Sequence, residues 1–114
     1  MSARIKTELW VQAFLRRCNV QGLFGAVLQR GNAEAGSLII VVNHLNGTHT
    51  LLTPPPGPAY DENGERRFEN LTPQTLQWPE VQGKLDKAKS FDSDLWIIEV
   101  EDREGLAGIS PIKS

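Results

Sequence analysis

The densest group of reactive side chains is a set of six carboxylates near the C-terminal end of the chain: Asp92, Asp94, Glu99, Glu101, Asp102 and Glu104. Carboxylates two residues apart on a strand project from the same face, and several oxygens at fixed geometry are what Mg²⁺ and Mn²⁺ require. A metal-dependent phosphodiesterase would use Asp94, Glu99 and Glu101. Strand carboxylates are more often solvated or paired with arginine, so we expect no metal and no cofactor here.

A second group combines arginines with aromatic rings in the segment 60–68, YDENGERRF. Guanidinium is planar and presents forked donors, so Arg66 and Arg67 are suited to hold a phosphate or to stack on a base. The same arginines are equally suited to pair with the acidic last strand, which is the commoner arrangement. The predicted binding residues are Tyr60, Arg66, Arg67, Phe68, Asp94, Glu99 and Arg103.

Histidine and cysteine chemistry has little support in the sequence. His44 and His49 are predicted to face each other across a hairpin, but a zinc site needs three or four ligands and no further ligand is evident. We therefore predict a polar hairpin tip. Cys18 falls on the apolar side of a predicted helix, where a cysteine usually behaves as a small buried hydrophobe. The phosphate-binding, dinucleotide-binding and hydrolase motifs GxxxxGK[ST], GxGxxG and GxSxG are all absent.

The composition predicts one domain spanning residues 1–114. A chain of 114 residues that is 39% hydrophobic is large enough to bury one core. A single cysteine, no leader peptide and no long apolar run predict a cytoplasmic protein without a membrane segment. Residues 1–60 carry five basic and two acidic residues, and residues 61–114 carry seven and twelve, which opposes a broad basic surface for coating DNA.

Hydrophobic periodicity and turn residues predict two helices and four strands. Leu9, Trp10, Ala13 and Phe14 recur at helical spacing, so the first helix packs its apolar arc on a sheet, with Thr7 as its N-cap. The predicted helices are 8–18 and 79–89, and the predicted strands are 22–30, 37–45, 48–53 and 95–101. The prolines after residue 53 end the sheet and begin a long loop that extends to about Phe68.

The dipeptide Asn46-Gly47 predicts a two-residue hairpin turn, because both residues must adopt positive φ. This turn would place His44 opposite His49, Val42 opposite Leu51 and Val41 opposite Leu52. In the last strand, Trp96, Ile98 and Val100 are predicted on one face, and Leu95, Ile97, Glu99 and Glu101 on the other. The order α-β-β-β-α-β predicts an α+β fold with a mostly antiparallel four-stranded sheet and both helices packed on one face.

Five segments in a fixed order resemble the alphaproteobacterial family known as domain of unknown function 1491: IKTELWVQAFLRR, the Arg30-Gly31 turn, VVNHLNGT, PPPGPAYDENGERRFE and FDSDLWIIEVEDREG. The resemblance implies a compact single domain with no assigned activity. The element order also resembles the core of restriction-endonuclease-like nucleases. Those enzymes carry their acidic residues on the second and third strands, where this chain has SLIIVVNHL and THTLLT with no carboxylate.

These observations favour a non-enzymatic interaction module that binds a protein partner through the proline-rich loop and the acidic last strand. The alternative is a nucleic-acid or anion binder that uses Arg16, Arg17, Arg66 and Arg67, and the phosphodiesterase is a third hypothesis. Nothing in the sequence specifies an oligomeric state.

Overall fold

Two helices and five strands make up the computed structural model, which describes residues 6–70 and 74–112. In chain order they are α1 (Thr7–Val20), β1 (Gly25–Gln29), β2 (Leu38–Asn43), β3 (Thr48–Leu52), β4 (Leu76–Gln77), α2 (Trp78–Phe91) and β5 (Trp96–Glu101). The described residues form one α+β domain, which confirms the predicted class. Each predicted helix and strand is present, and the two-residue strand β4 was not predicted.

The strands form a single mixed sheet in the order β1-β5-β2-β3-β4. β5 is parallel to β2, whereas the β1/β5, β2/β3 and β3/β4 pairs are antiparallel. The prediction of four strands was wrong in number, and the sheet is mostly antiparallel as predicted, with the parallel β2/β5 pair as the unpredicted exception. The physical reason lies in residues 95–98, which are apolar on both sides and buried. A strand of that kind occupies the centre of a sheet rather than an edge.

The two helices cover opposite faces of the sheet, and the prediction that both pack on one face was wrong. On the first face, Ile40 and Trp96 pack with Phe14 of α1. On the second face, Val41 packs with Val81 of α2. Both sides of β2 and β5 are apolar, so both faces of the sheet need a cover. Among residues 6–70 and 74–112, no helix is long and apolar enough to cross a membrane.

The predicted face assignment of β5 is confirmed. Trp96, Ile98 and Val100 belong to the core beneath α1, and Leu95 and Ile97 belong to the core beneath α2. The alternation of side chains along a strand is a property of the extended backbone, so it could be deduced without knowledge of the neighbouring strands.

The hairpin between β2 and β3 has a different register from the predicted one. Asn43, not His44, lies opposite His49, and every other pair is shifted by one residue, so that Val41 faces Leu51. The hairpin closes where the His44 N–H donates to the Thr48 carbonyl at 3.0 Å. The loop therefore contains three residues, 45–47, rather than two.

Leu45 and Gly47 are the loop residues with positive φ, at 60° and 87°. The side chain of Asn43 accepts a hydrogen bond from the Leu45 N–H at 2.8 Å, which stabilises this unusual backbone. The Asn46 side chain accepts from the Thr48 N–H at 3.0 Å. These side-chain bonds compensate for placing a leucine in the left-handed region, and they explain why the Asn-Gly signal alone predicted the wrong turn.

The connection between β1 and β2 holds the first turn of α1 in place. Thr7 is the first helical residue rather than the N-cap, which is Lys6. The N–H groups of Thr7 and Glu8 donate to the carbonyls of Glu34 and Ala33, and the Thr7 hydroxyl donates to the Gly36 carbonyl at 2.8 Å. Backbone carbonyls of a distant loop thus satisfy the helix start in place of a side-chain cap.

Two glycines allow a test of how tightly this connection packs on β5. A Cβ on Gly31 would overlap the carbonyl oxygen of Asp94 and come within 2.7 Å of the carbonyl carbon of Leu95. Gly31→Ala should therefore destabilise the protein by roughly 1–3 kcal/mol, measured by urea denaturation. Gly83→Ala is the matched control, because nothing lies near its Cβ within α2, and it should stabilise by about 0.5–1 kcal/mol. Equal effects of the two substitutions would contradict this packing.

Candidate ligand-binding cleft

A cleft of about 540 Å³ lies between α1, the loop 61–67 and the C-terminal segment 108–112. Trp10, Phe14 and Arg17 recur at i, i+4 and i+7, so they share the face of α1 that forms one wall. The rings of Trp10 and Phe14 are stacked, with centroids 5.0 Å apart and planes inclined by 13°. The guanidinium carbon of Arg17 lies 5.1 Å from the Phe14 centroid, which continues the stack toward the end of the helix.

Arg66 extends this stack in the other direction. Its guanidinium carbon lies 5.4 Å from the Trp10 centroid and 5.1 Å from the Tyr60 centroid. Its Nη2 donates to the Tyr60 hydroxyl at 2.8 Å and to the Thr7 hydroxyl at 3.2 Å. Tyr60, Arg66, Trp10, Phe14 and Arg17 thus form a continuous row of aromatic rings and guanidinium groups, which we call the arginine–aromatic row.

The environment of Arg66 is unusual for a positive charge. Burial lowers the pKa of its guanidinium, and the adjacent Tyr60 opposes that shift. Its Nε is buried without a hydrogen-bond partner. No carboxylate of the described residues forms an ion pair with it, so rings and hydroxyl groups replace the usual counter-ion.

Arg67 and Arg17 also lack ion-pair partners within the described part of the chain, where the ion pairs are Lys6–Glu34 and Arg30–Glu8. Arg67 donates from Nη1 to the carbonyl of Pro58 at 2.8 Å. The expectation that Arg66 and Arg67 pair with the acidic last strand was therefore wrong. Both arginines line the cleft with Arg17 instead.

The opposite wall of the cleft carries two carboxylates, Asp61 and Glu65. Asp61 is used to shape its own loop, because its Oδ1 accepts the N–H groups of Asn63 and Glu65 at 2.8 and 2.9 Å. An isolated bridge between Tyr60 and Arg66 closes this loop. The three arginines and two carboxylates leave the cleft with a small positive charge.

The predicted binding residues divide between the cleft and other parts of the surface. Arg66 and Arg67 line the cleft, and Tyr60 contacts Arg66. Phe68 is only 1% exposed and packs against Trp10, with the ring centroids 5.8 Å apart. Asp94 lies in the turn before β5, where its carbonyl accepts from the N–H of Asn32. Glu99 accepts from Asn43 Nδ2 at 3.4 Å, and Arg103 borders a shallow depression beside Phe24.

The acidic segment does not gather into a single site. Asp102 accepts the N–H groups of Gly105 and Ala107 at 3.0 and 2.9 Å, so its carboxylate shapes the turn after β5. Asp94 and Asp92 belong to the turn before β5, at the other end of the strand, where Asp92 Oδ1 accepts the Asp94 N–H. Within residues 6–70 and 74–112, no cluster of three or more His, Cys, Asp or Glu side chains is placed to hold a metal ion.

The two histidines point to opposite faces of the sheet because of the shifted register. His44 Nε2 lies 2.9 Å from the Thr50 hydroxyl and Nδ1 lies 2.8 Å from the Asp102 carbonyl. The His49 ring contacts Trp78 at the start of α2, with centroids 5.4 Å apart. The predicted cross-strand histidine pair at the hairpin tip is therefore wrong.

Sequence reasoning missed half of the cleft. Trp10 and Phe14 were predicted only to pack on the sheet, which Phe14 does, and their place in the cleft was not foreseen. Ile109 and Ile112 were not considered. The sequence did indicate that Trp10 and Phe14 approach the surface. Arg17 follows them at helical spacing, and an arginine at that position keeps its charged group in water. The C-terminal segment has no comparable signal.

Cys18 is fully buried in the core beneath α1, as its position on the apolar arc predicted. Burial raises the pKa of its thiol, with an opposing contribution from Arg17. A thiol in this state is a poor nucleophile, since the thiolate is the reactive form.

Comparisons with known proteins agree on one group of relatives. The family model described as "Protein of unknown function (DUF1491)" matches residues 5–110. A crystal structure of a DUF1491 family protein from Caulobacter crescentus is 29% identical with a TM-score of 0.76, and it covers 96% of this chain and 99% of that chain. The solution structure of a protein from A. tumefaciens is 30% identical with a TM-score of 0.81, covering 98% of each chain. No curated protein matches the chain.

Replacing the Arg66 guanidinium by an amine tests how much the row depends on planar geometry. Arg66→Lys keeps the charge but cannot lie between two rings while donating to two hydroxyl groups. We expect a loss of roughly 1–3 kcal/mol in unfolding free energy by urea denaturation. Arg16→Lys is the matched control on the exposed side of α1 and should change stability by less than about 0.5 kcal/mol.

The buried thiol predicts a specific pH dependence. The pKa of Cys18 is higher in the folded than in the unfolded protein, so its contribution is complete below the unfolded pKa of about 8.5 and is lost as the pH rises through the folded pKa. The stability difference between wild type and Cys18→Ala should therefore narrow between neutral and alkaline pH, measured by urea denaturation at each pH. A difference that widened would show that the thiol pKa is not raised.

Proposed function

The chain belongs to the DUF1491 family, and we propose that it is a non-enzymatic interaction module that binds an acidic, partly apolar peptide segment of a protein partner in the cleft. The observation that carries this proposal is the convergence of Arg17, Arg66 and Arg67 on one cleft without carboxylate partners among the described residues. Clefts of about 300–1,000 Å³ are typical of ligand sites, and this one lies within that range.

The arginines supply the anion-binding part of the site. Arg17 is exposed and Arg67 is half-buried, so both present donors at the cleft surface. The guanidinium of Arg66 is held between two aromatic rings and donates to two hydroxyl groups. Its charge is therefore already in position when a ligand arrives. A carboxylate that meets a preorganised guanidinium forms a charge-assisted hydrogen bond at a reduced entropic cost.

The apolar part of the site comes from two elements. Trp10 on α1 and Ile109 and Ile112 in the C-terminal segment are half-buried cleft residues. An aromatic residue with an apolar body and a polar edge suits a partly wet interface. A peptide with alternating acidic and apolar side chains would meet both the arginines and these residues.

A peptide fits the cleft better than a nucleic acid. Sequence-tolerant binding of single strands depends on aromatic faces that are open for base stacking. Phe14 is 4% exposed and stacked on Trp10, and Arg66 lies over Trp10, so these faces are already occupied.

The chemistry of the cleft supports binding rather than catalysis. Among the residues that the structure describes, its lining has one hydroxyl side chain, Ser110, and no histidine. Cys18 is enclosed in the core and does not reach the cleft. A binding module needs none of these groups.

The adjacent arginines of α1 provide a matched test. The probe is a short synthetic peptide of alternating leucine and glutamate, followed by amide chemical shifts in ¹⁵N-labelled protein. We expect shifts at Trp10, Arg17 and Ile109, and an affinity that weakens with salt because exposed charges are screened. Arg17→Gln should weaken binding by about three- to ten-fold.

The control is Arg16→Gln, since Arg16 is exposed on α1 but does not line the cleft. Equal losses for the two variants would indicate a general charge effect and contradict the proposed site. A single-stranded RNA that bound the same residues more tightly than the peptide would replace the peptide hypothesis by nucleic-acid binding.

A further inference from the structure

A second pocket lies on the other face of the sheet, between the last turns of α2 and strands β2 and β3. Its volume is about 280 Å³. Ile39, Leu51 and Leu85 are core residues that form part of its lining, with exposures of 5–6%. Ala88 and Phe91 of α2 complete its apolar part. The lining residues of this pocket do not overlap with those of the cleft beside α1.

Two lysines border this apolar pocket. Lys84 and Lys87 are one helical turn apart on α2, so their ammonium groups extend from neighbouring positions of the same helix. Neither lysine forms an ion pair with a carboxylate of the described residues. Among the described residues, the lining contains no acidic side chain. The charged residues that line the pocket are thus both cationic, which favours an anion at its mouth.

Phe91 leaves a large apolar surface in water at the end of α2. Phe91 is 82% exposed, although it borders a pocket whose other apolar residues are largely buried. An exposed ring beside an apolar pocket is typical of a ligand-binding surface, because a ligand that covers it removes apolar area from water.

We propose that this pocket binds an amphiphile with one alkyl chain and one carboxylate, such as a medium-chain fatty acid. The chain lies over Ile39, Leu51 and Leu85, and the carboxylate lies between Lys84 and Lys87. The volume suits one chain, whereas an amphipathic helix needs a groove several turns long and a two-chain lipid needs more space. Arginine–carboxylate recognition in the other cleft is independent of this site.

Chain length and charge can be tested separately by calorimetry with octanoate, decanoate and decanol, the two acids below the concentrations at which they form micelles and decanol below its solubility limit. Decanoate should bind roughly ten-fold more tightly than octanoate, because two further methylenes are buried. Decanol should bind more weakly than decanoate, since it has the chain but no charge. Amide shifts should appear at Ile39, Leu51 and Ala88.

The lysine variants identify the head-group site. The double substitution Lys84→Gln and Lys87→Gln should weaken decanoate binding by about ten-fold and leave decanol binding unchanged. Lys89→Gln is the matched control, because Lys89 is exposed on the same helix but does not line the pocket. All three lysines are exposed, so these variants should fold as the wild type does.

Several results would overturn the proposal. Wild-type protein that does not bind decanoate, or binds it with no dependence on chain length, has no such pocket in solution. An equal loss for Lys89→Gln would indicate nonspecific attraction to the helix. Binding to anionic vesicles without binding to monomeric decanoate would show a membrane surface instead. Arg17→Gln should leave decanoate binding intact, so failure of this site and failure of the cleft are distinguishable.

Discussion

The hydrogen bonds of the connection between β1 and β2 are the constraint on which the rest of the structure depends. Its carbonyls at Ala33 and Glu34 accept the first N–H groups of α1, and the Asn32 carbonyl accepts from Trp96 Nε1 at 2.7 Å. One short segment thus attaches α1 to the interior strand β5. With the helix start held in this way, Trp10 lies between the core beneath α1 and the cleft formed with the loop 61–67 and the C-terminal segment.

The buried charge of Arg66 is tolerated because this attachment places suitable groups around it. Thr7 is both part of the helix start and a hydrogen-bond acceptor for Arg66, so the geometry of the helix start sets that of the arginine. Removing a guanidinium from water is unfavourable unless its donors are satisfied, and two hydroxyl groups and two rings compensate in part. The Nε of Arg66 has no hydrogen-bond partner, so the cost of removing its N–H from water is not compensated.

Features that depend on local periodicity could be predicted, and features that depend on which strands pair could not. The alternation of Trp96 and Ile97 followed from the extended backbone alone, and the position of Cys18 followed from the helical arc. The insertion of β5 between β1 and β2 is a long-range choice, and only its two-sided apolar character indicated it. The predicted hairpin register was wrong because the side chain of Asn43 stabilises positive φ at Leu45. The prediction rested on the Asn46-Gly47 dipeptide alone and did not include this interaction. The same distinction applies to the cleft. Arg66 and Arg67 were predicted because they are adjacent in the loop, whereas their proximity to α1 and to the C-terminal segment depends on the tertiary fold.

The basic residues at the two pockets need an explanation beyond helix stability. Cations near the C-terminal end of a helix are favoured by the helix dipole, which accounts for Arg17 in the last turn of α1 as a stabilising residue. The dipole does not account for Arg66 and Arg67, which lie in a loop, nor for Lys84, which lies in the middle of α2. The chain has fourteen Asp and Glu residues, yet none of the described ones forms an ion pair with these cations. The helix dipole does not explain this either. Under the two proposals, an anionic ligand would pair with these cations, and the different apolar surroundings of the two pockets would determine which anion each pocket selects.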